Sequence, residues 1–113
     1  PLKYLALSNT IRSAVTTWGK TLSNEVAESN ITVNNILTGY FNTERLEQLN
    51  SEKAKKMGVK LDEVLDIMKN QVPAKRIGDP KEFGYLVTFL SSDNASYING
   101  INIAIDGGLI KSL

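Results

Sequence analysis

A chain of 113 residues with 42% hydrophobic and 22% charged residues suits one globular domain, or part of one, rather than a disordered segment. Its formal net charge of +1 gives no electrostatic footprint for nucleic acid or an anionic membrane. It holds no cysteine and no histidine, which excludes disulfides, thiolate catalysis, Ser-His triads and Cys/His zinc sites. No apolar run approaches the roughly 20 residues of a membrane span, and no signal peptide is visible. The expectation is a cytoplasmic protein with no membrane and no nucleic-acid partner. The first residue is Pro1 rather than Met, so the chain reads as processed or as a piece of something longer.

In chain order, Ile11, Val15, Trp18, Leu22 and Val26 recur at spacings of three and four, predicting a long amphipathic helix over 8–28. Ala14 and Gly19 add small residues that would let another helix approach closely. Ser8 or Asn9 could cap the start of this helix, and Asn30 could take the left-handed turn at its end. The β-branched and aliphatic run 31–37 predicts a short buried strand, ended by Thr38-Gly39. A helix over 44–57 carries Leu46, Leu49 and Met57, with Gly58 as its stop, and a second over 62–70 carries Val64, Leu65, Ile67 and Met68. Asp79-Pro80-Lys81-Glu82 is a compact helix start, with a cap, a proline at the first turn and a glutamate able to reach back. Phe83, Leu86, Val87 and Leu90 are its expected buried face. A last strand over 101–105 lies between Asn99-Gly100 and Asp106-Gly107-Gly108. Lys53, Lys55 and Lys56 read as a solvated helix face. Asn30-Ile31-Thr32 and Asn94-Ala95-Ser96 match the glycosylation pattern and, without a secretory signal, read as coincidence.

The order helix, strand, helices, strand predicts an α/β fold with parallel strands joined by a long right-handed crossover. Two parallel strands alone make a poor sheet, because parallel sheets are normally covered on both faces. Further chain upstream, or a second subunit, is expected to cover them.

Four segments resemble one known family. Arg12-Ser13-Ala14-Val15 through Lys20-Thr21-Leu22-Ser23-Asn24-Glu25 resembles the helix that follows its catalytic tyrosine. Ile31-Thr32-Val33-Asn34-Asn35-Ile36-Leu37-Thr38-Gly39-Tyr40-Phe41-Asn42-Thr43 resembles a strand ending in Val-Asn…Pro-Gly-x-x-x-Thr. Pro73 to Glu82 is similar to a Pro-x-x-Arg-x-Gly-x-Pro-x-Glu segment, and Ala95 to Gly100 with Asp106-Gly107-Gly108 to a closing strand. In this order and spacing they resemble the C-terminal half of a short-chain dehydrogenase/reductase, of the 3-oxoacyl-carrier-protein reductase type. The resemblance covers nearly the whole chain. It implies a single domain over 1–113, the C-terminal part of a Rossmann-type doubly wound parallel sheet whose dinucleotide-binding N-terminal half is absent.

The family reduces carbonyls or oxidises alcohols with NAD or NADP. Its glycine-rich turn, ribose selector and catalytic serine lie in the half not present here, and this sequence holds no Gly-x-Gly-x-x-Gly. The resemblance therefore implies that NAD or NADP serves the intact protein and does not bind this chain alone. Counting back from Lys20 and Glu25 puts Ser8 where the family has tyrosine and Arg12 where it has lysine. The rival register, Leu5 and Asn9, breaks those later matches. A Tyr phenol with a pKa of about 10, lowered by a neighbouring ammonium, can pass a proton to a carbonyl oxygen. Ser8 is too weak an acid for that and can only donate a hydrogen bond. Arg12 keeps its charge and can fork onto hydroxyls or phosphates, as on a nicotinamide ribose. The plain alternative makes Ser8 a helix cap and Arg12 a surface cation.

Gly39 and Tyr40 match the segment whose backbone touches the nicotinamide amide, and Thr43 matches a hydroxyl contacting the amide or pyrophosphate. Thr38 stands where proline is usual. A strand-ending turn at Gly39 and a helix cap at Thr43 use the same backbone features. Tyr4, four residues before Ser8, is a second source of a phenol. Arg76 and Asp106 read as structural, and Trp18 as packing core or interface. The resemblance also implies homo-oligomers, through the helix over 8–28 and through the last helix and strand. Two functions follow: part of a reductase acting on a carbonyl, with a 3-oxoacyl thioester as one substrate, or a non-catalytic relative that works by dimerisation or binding.

Overall fold

Helical periodicity at the start of the chain yields α1 over Ala6–Glu25, the first element of the computed structural model, which describes residues 6–111. A 3-10 turn at Ala27–Ser29 follows, then β1 (Asn35–Thr38), α2 (Glu44–Met57), α3 (Leu61–Gln71), α4 (Pro80–Leu90), a second 3-10 turn at Asp93–Ala95, and β2 (Asn102–Ile105). The strands form a two-stranded sheet. The Asn35 amide donates to Ile101 O at 2.9 Å and the Gly39 amide to Ile105 O at 3.0 Å, a register that advances along both strands together and is therefore parallel. The α/β class and the helical crossover agree with the sequence reading. No helix among the described residues is long and apolar enough to cross a membrane. Backbone contacts divide the chain into two units, one running to Ile36 and taking in Thr88–Ile103, the other Leu37–Val87 and the chain from Ala104.

In the first unit, α1 packs through its small residues. Gly19 and Ser23 are buried, whereas Ile11, Val15 and Trp18 are 55%, 51% and 62% exposed. Trp18 is thus not packing core, and the first three residues of the predicted apolar stripe face out, while Leu22 and Val26 are half-buried. Asn35 explains the choice of face. Its Nδ2 donates to Thr16 O at 3.3 Å and to Asn102 Oδ1 at 3.0 Å, and a Cβ on Gly19 would lie 3.0 Å from its amide. A larger residue at Gly19 would push Asn35 off the helix.

The helix begins earlier than expected, so Ser8 and Asn9 lie inside it and do not cap it. It also ends earlier, at Glu25, with Asn30 left-handed as the sequence suggested (φ 58°). The first strand is shorter and shifted: residues 31–34 precede it, and Ile31 is exposed. Side-chain amides take the backbone partners a ladder would use. Asn34 Nδ2 donates to Ile98 O at 2.8 Å, Asn34 Oδ1 accepts from Ile101 N at 3.3 Å, and Asn99 Oδ1 accepts from Val33 N at 2.8 Å. Regular pairing starts only beyond them. β1 is half-buried rather than buried, and alternate residues of β2 are exposed.

In the second unit, α2 and α3 pack on each other. Thr43 caps α2, accepting from Leu46 N at 3.3 Å, and Gly58 ends it with φ 67°. The buried positions are Asn50, Ala54 and Val64, while Leu49, Met57 and Ile67 are exposed. Lys53, Lys55 and Lys56 are exposed, as a solvated face requires. At the start of α4, Asp79 Oδ1 accepts from Lys81 N at 2.9 Å and Glu82 Oε2 accepts from Asp79 N at 2.8 Å, the reciprocal cap anticipated from the sequence. The apolar face of α4 is shallower than expected: Phe83, Leu86 and Leu90 are half-buried and Val87 is exposed.

Candidate functional site

One turn of α1 separates Ser8 from Arg12, and their side chains meet. Arg12 Nε donates to Ser8 Oγ at 3.3 Å, with Ser8 half-buried and Arg12 exposed. The hydroxyl oxygen accepts from the guanidinium, so within this pair Ser8 is the acceptor and its proton is not shared with Arg12. The arrangement can position a hydrogen-bond donor beside a fixed positive charge. Tyr4 lies outside the described residues.

Gly39, Tyr40 and Thr43 lie in the second unit, on the loop that leaves β1. A Cβ on Gly39 would come 2.6 Å from Asp106 Cα, so only glycine fits between the strand ends. The loop is then tied to residue 78. Gly78 N donates to Tyr40 O and Asn42 N to Gly78 O, both at 2.9 Å, forming an isolated parallel bridge of Phe41 with Gly78. Phe41 stands edge-on to Phe83 with ring centroids 6.0 Å apart. The Tyr40 hydroxyl reaches Gln71 Oε1 at 3.5 Å. Thr43 ends the loop as the α2 cap, so its hydroxyl oxygen already has a structural partner.

A clamp that the motif reading classed as structural holds this loop from the far side. Arg76 grips Glu82 with two parallel bonds, Nη1 to Oε2 at 2.7 Å and Nη2 to Oε1 at 2.6 Å. The hydrogen bonds from Arg76, and then that from the Asp79 amide, hold the Glu82 carboxyl down to about 2, and the same pairing raises Arg76. Asp106 caps the following turn, accepting from Gly108 N at 2.9 Å and from Ile110 N at 2.7 Å. Tyr40, Phe41, Arg76, Glu82 and Asp106 border a recess of about 90 Å³. The loop's dependence on residues 76–78 was the part hardest to see in advance. The Arg-x-Gly-x-Pro-x-Glu segment was legible as a family motif and a helix start, but neither the Arg76–Glu82 pair nor the bridge to Phe41 was.

These residues do not by themselves fit a dinucleotide. Gly39 and Asn42 have their amides committed to Ile105 and Gly78, the Thr43 hydroxyl oxygen accepts at the cap of α2 and has only its proton to offer, and the sequence holds no glycine-rich phosphate turn. What these residues offer is a loop tied to Gly78 by backbone bonds and, on α1, the Ser8–Arg12 pair.

The family model described as enoyl-(acyl carrier protein) reductase matches residues 3–110. The NADPH-dependent reductase BacG of Bacillus subtilis is 34% identical over 91% of this chain and 40% of its own length. A 3-oxoacyl-(acyl-carrier-protein) reductase of Haemophilus influenzae is 36% identical over 89% of this chain and 37% of its own. L-sorbose reductase of Gluconobacter frateurii, solved with NADPH and L-sorbose, superposes on the whole chain with a TM-score of 0.93 at 32% identity, covering 43% of that protein. The chain spans about two fifths of the length of these relatives. Sequence and architecture agree: the chain belongs to the short-chain dehydrogenase/reductase family, with 3-oxoacyl-(acyl-carrier-protein) reductases among its relatives.

Proposed function

We propose that this chain is the C-terminal portion of an NAD(P)-dependent reductase of the cytoplasm that acts on a small-molecule carbonyl, with a 3-oxoacyl thioester as the leading substrate class. In this reading residues 1–113 form part of one Rossmann domain, completed by a dinucleotide-binding half. The observation that carries it is the match to reductases along residues 3–110, through both Ser8/Arg12 and the Gly39–Thr43 loop. NAD or NADP would supply the hydride. Ser8, with its oxygen already accepting from Arg12, directs its proton at the carbonyl oxygen. Arg12 steadies the negative charge that develops there but keeps its own proton. By the family resemblance Gly39, Tyr40 and Thr43 would face the nicotinamide end once the upstream half completes the site. Reduction also needs a proton on the new hydroxyl, and in this arrangement water delivers it.

The test is a pair of substitutions in the full-length protein. Ser8→Tyr with Arg12→Lys is expected to raise the carbonyl reduction rate by about 100-fold, the usual worth of a positioned general acid, while neither single change does so. A full-length protein that binds neither NADH nor NADPH in calorimetry would overturn the reading.

The exposed stripe of Ile11, Val15 and Trp18 favours a second reading, a non-catalytic relative that works as a homo-oligomer through α1 and through α4 with β2. Light scattering beside a cofactor titration separates the two: a dimer without nucleotide affinity selects the second.

A further inference from the structure

The chain contains a single Asn-Gly step, Asn99-Gly100. Such a step is chemically self-reactive, because the glycine nitrogen is unhindered and can attack the asparagine side-chain carbonyl. The fold requires glycine there. Gly100 has φ 68°, and an added Cβ would run into the side chains of Ser23 and Lys20. The reactive step is therefore a consequence of how this turn is built.

Every group the reaction needs is tied down within the first unit. Asn99 Nδ2 donates to Ser23 O at 3.0 Å, and Asn99 Oδ1 accepts from Val33 N at 2.8 Å. The attacking nitrogen, Gly100 N, donates its hydrogen to Val33 O at 2.9 Å. Asn34 braces both flanks, donating to Ile98 O and accepting from Ile101 N. The nucleophile and the carboxamide are each held by partners other than one another.

We infer that Asn99 is a deamidation site which the folded chain holds shut, and which reacts only when residues 97–101 leave Val33 and Ser23. In the opened chain, Gly100 N bonds to Asn99 Cγ, the Cγ–Nδ2 bond breaks, and ammonia leaves. Water then opens the cyclic imide at either carbonyl, giving aspartate or isoaspartate. Neither product can re-dock as asparagine does. An aspartate oxygen in place of Nδ2 faces the Ser23 carbonyl at 3.0 Å, acceptor against acceptor. Isoaspartate adds a methylene to the backbone. Each opening that reacts is thereby recorded, and the site accumulates a history of local unfolding.

Peptide mass spectrometry of the protein aged in mildly alkaline buffer, with and without denaturing urea, reads the rate at Asn99. The unfolded rate is expected to exceed the folded rate by at least about tenfold, since reaction follows the open population. Equal rates would overturn the inference. Asn34→Ala removes both braces without touching the step, and is expected to raise the folded rate severalfold while leaving the urea rate unchanged. An unchanged folded rate in that variant would equally overturn it. Asn70 and Asn94, which precede bulkier residues, serve as internal references in both experiments.

Discussion

Arg76 and Glu82 show how one pair of side chains can hold a loop neither belongs to. The doubly bonded pair keeps residues 76–82 in shape, and Gly78 within that span carries the bridge to Phe41. Glu82 has its pKa lowered from 4.5 to about 2. A depressed carboxylate stabilises the fold fully above its unfolded value and loses that contribution as pH falls through the folded one. Thermal unfolding between pH 4.5 and 2 should therefore show the parent losing stability faster than Arg76→Met, with the two converging towards pH 2. Parallel curves across that window would remove the pair as a source of acid sensitivity. The sequence made Arg76 legible as structural and Glu82 as part of a helix cap, but their pairing came only with the structure. Asn34, Asn35 and Asn99 were not legible as a set. Their partners lie 19 to 76 residues away, and no local pattern encodes such pairings.

Helices were read nearly to the residue wherever a cap or stop lies in the sequence. Thr43, Gly58 and the Asp79-Pro80-Glu82 start each act through neighbours three or four positions off. Thr43→Ala should cost about 1 kcal/mol of stability by losing the bond to Leu46 N, with Thr43→Ser recovering most of it. Urea unfolding checks this, and an Ala variant as stable as the parent would show that the cap contributes nothing. Strands were read less well. The run 31–37 has the composition of a strand, but asparagine side chains occupy the backbone of residues 33, 98 and 101, so regular pairing begins at Asn35. The packed face of α1 was legible only in part. Hydrophobicity singled out Ile11, Val15 and Trp18 as a stripe for core or interface and Gly19 as a point of close approach; the stripe is exposed, and Gly19 is buried against Asn35. Backbone proximity prevailed over apolar area at that contact.

At the scale of the whole molecule, an exposed apolar stripe and two incompletely buried parallel strands are features of surfaces that other protein normally covers. In the full-length protein, Trp18→Glu is expected to convert an oligomer to monomer in light scattering, by placing a charge in the centre of the stripe. An unchanged mass would exclude α1 as an interface. The sequence by itself determined family, element order and the identities at positions 8 and 12, because motifs and periodicity are local and survive in one dimension. It also determined the Asn-Gly step, which is a property of two adjacent residues. Only the tertiary structure decided which face of α1 packs, where the sheet begins, how the loop after β1 is clamped, and that the Asn99-Gly100 step is locked. Those outcomes depend on hydrogen bonds and close approaches between segments far apart in the chain, which compete with local propensity and here prevail over it.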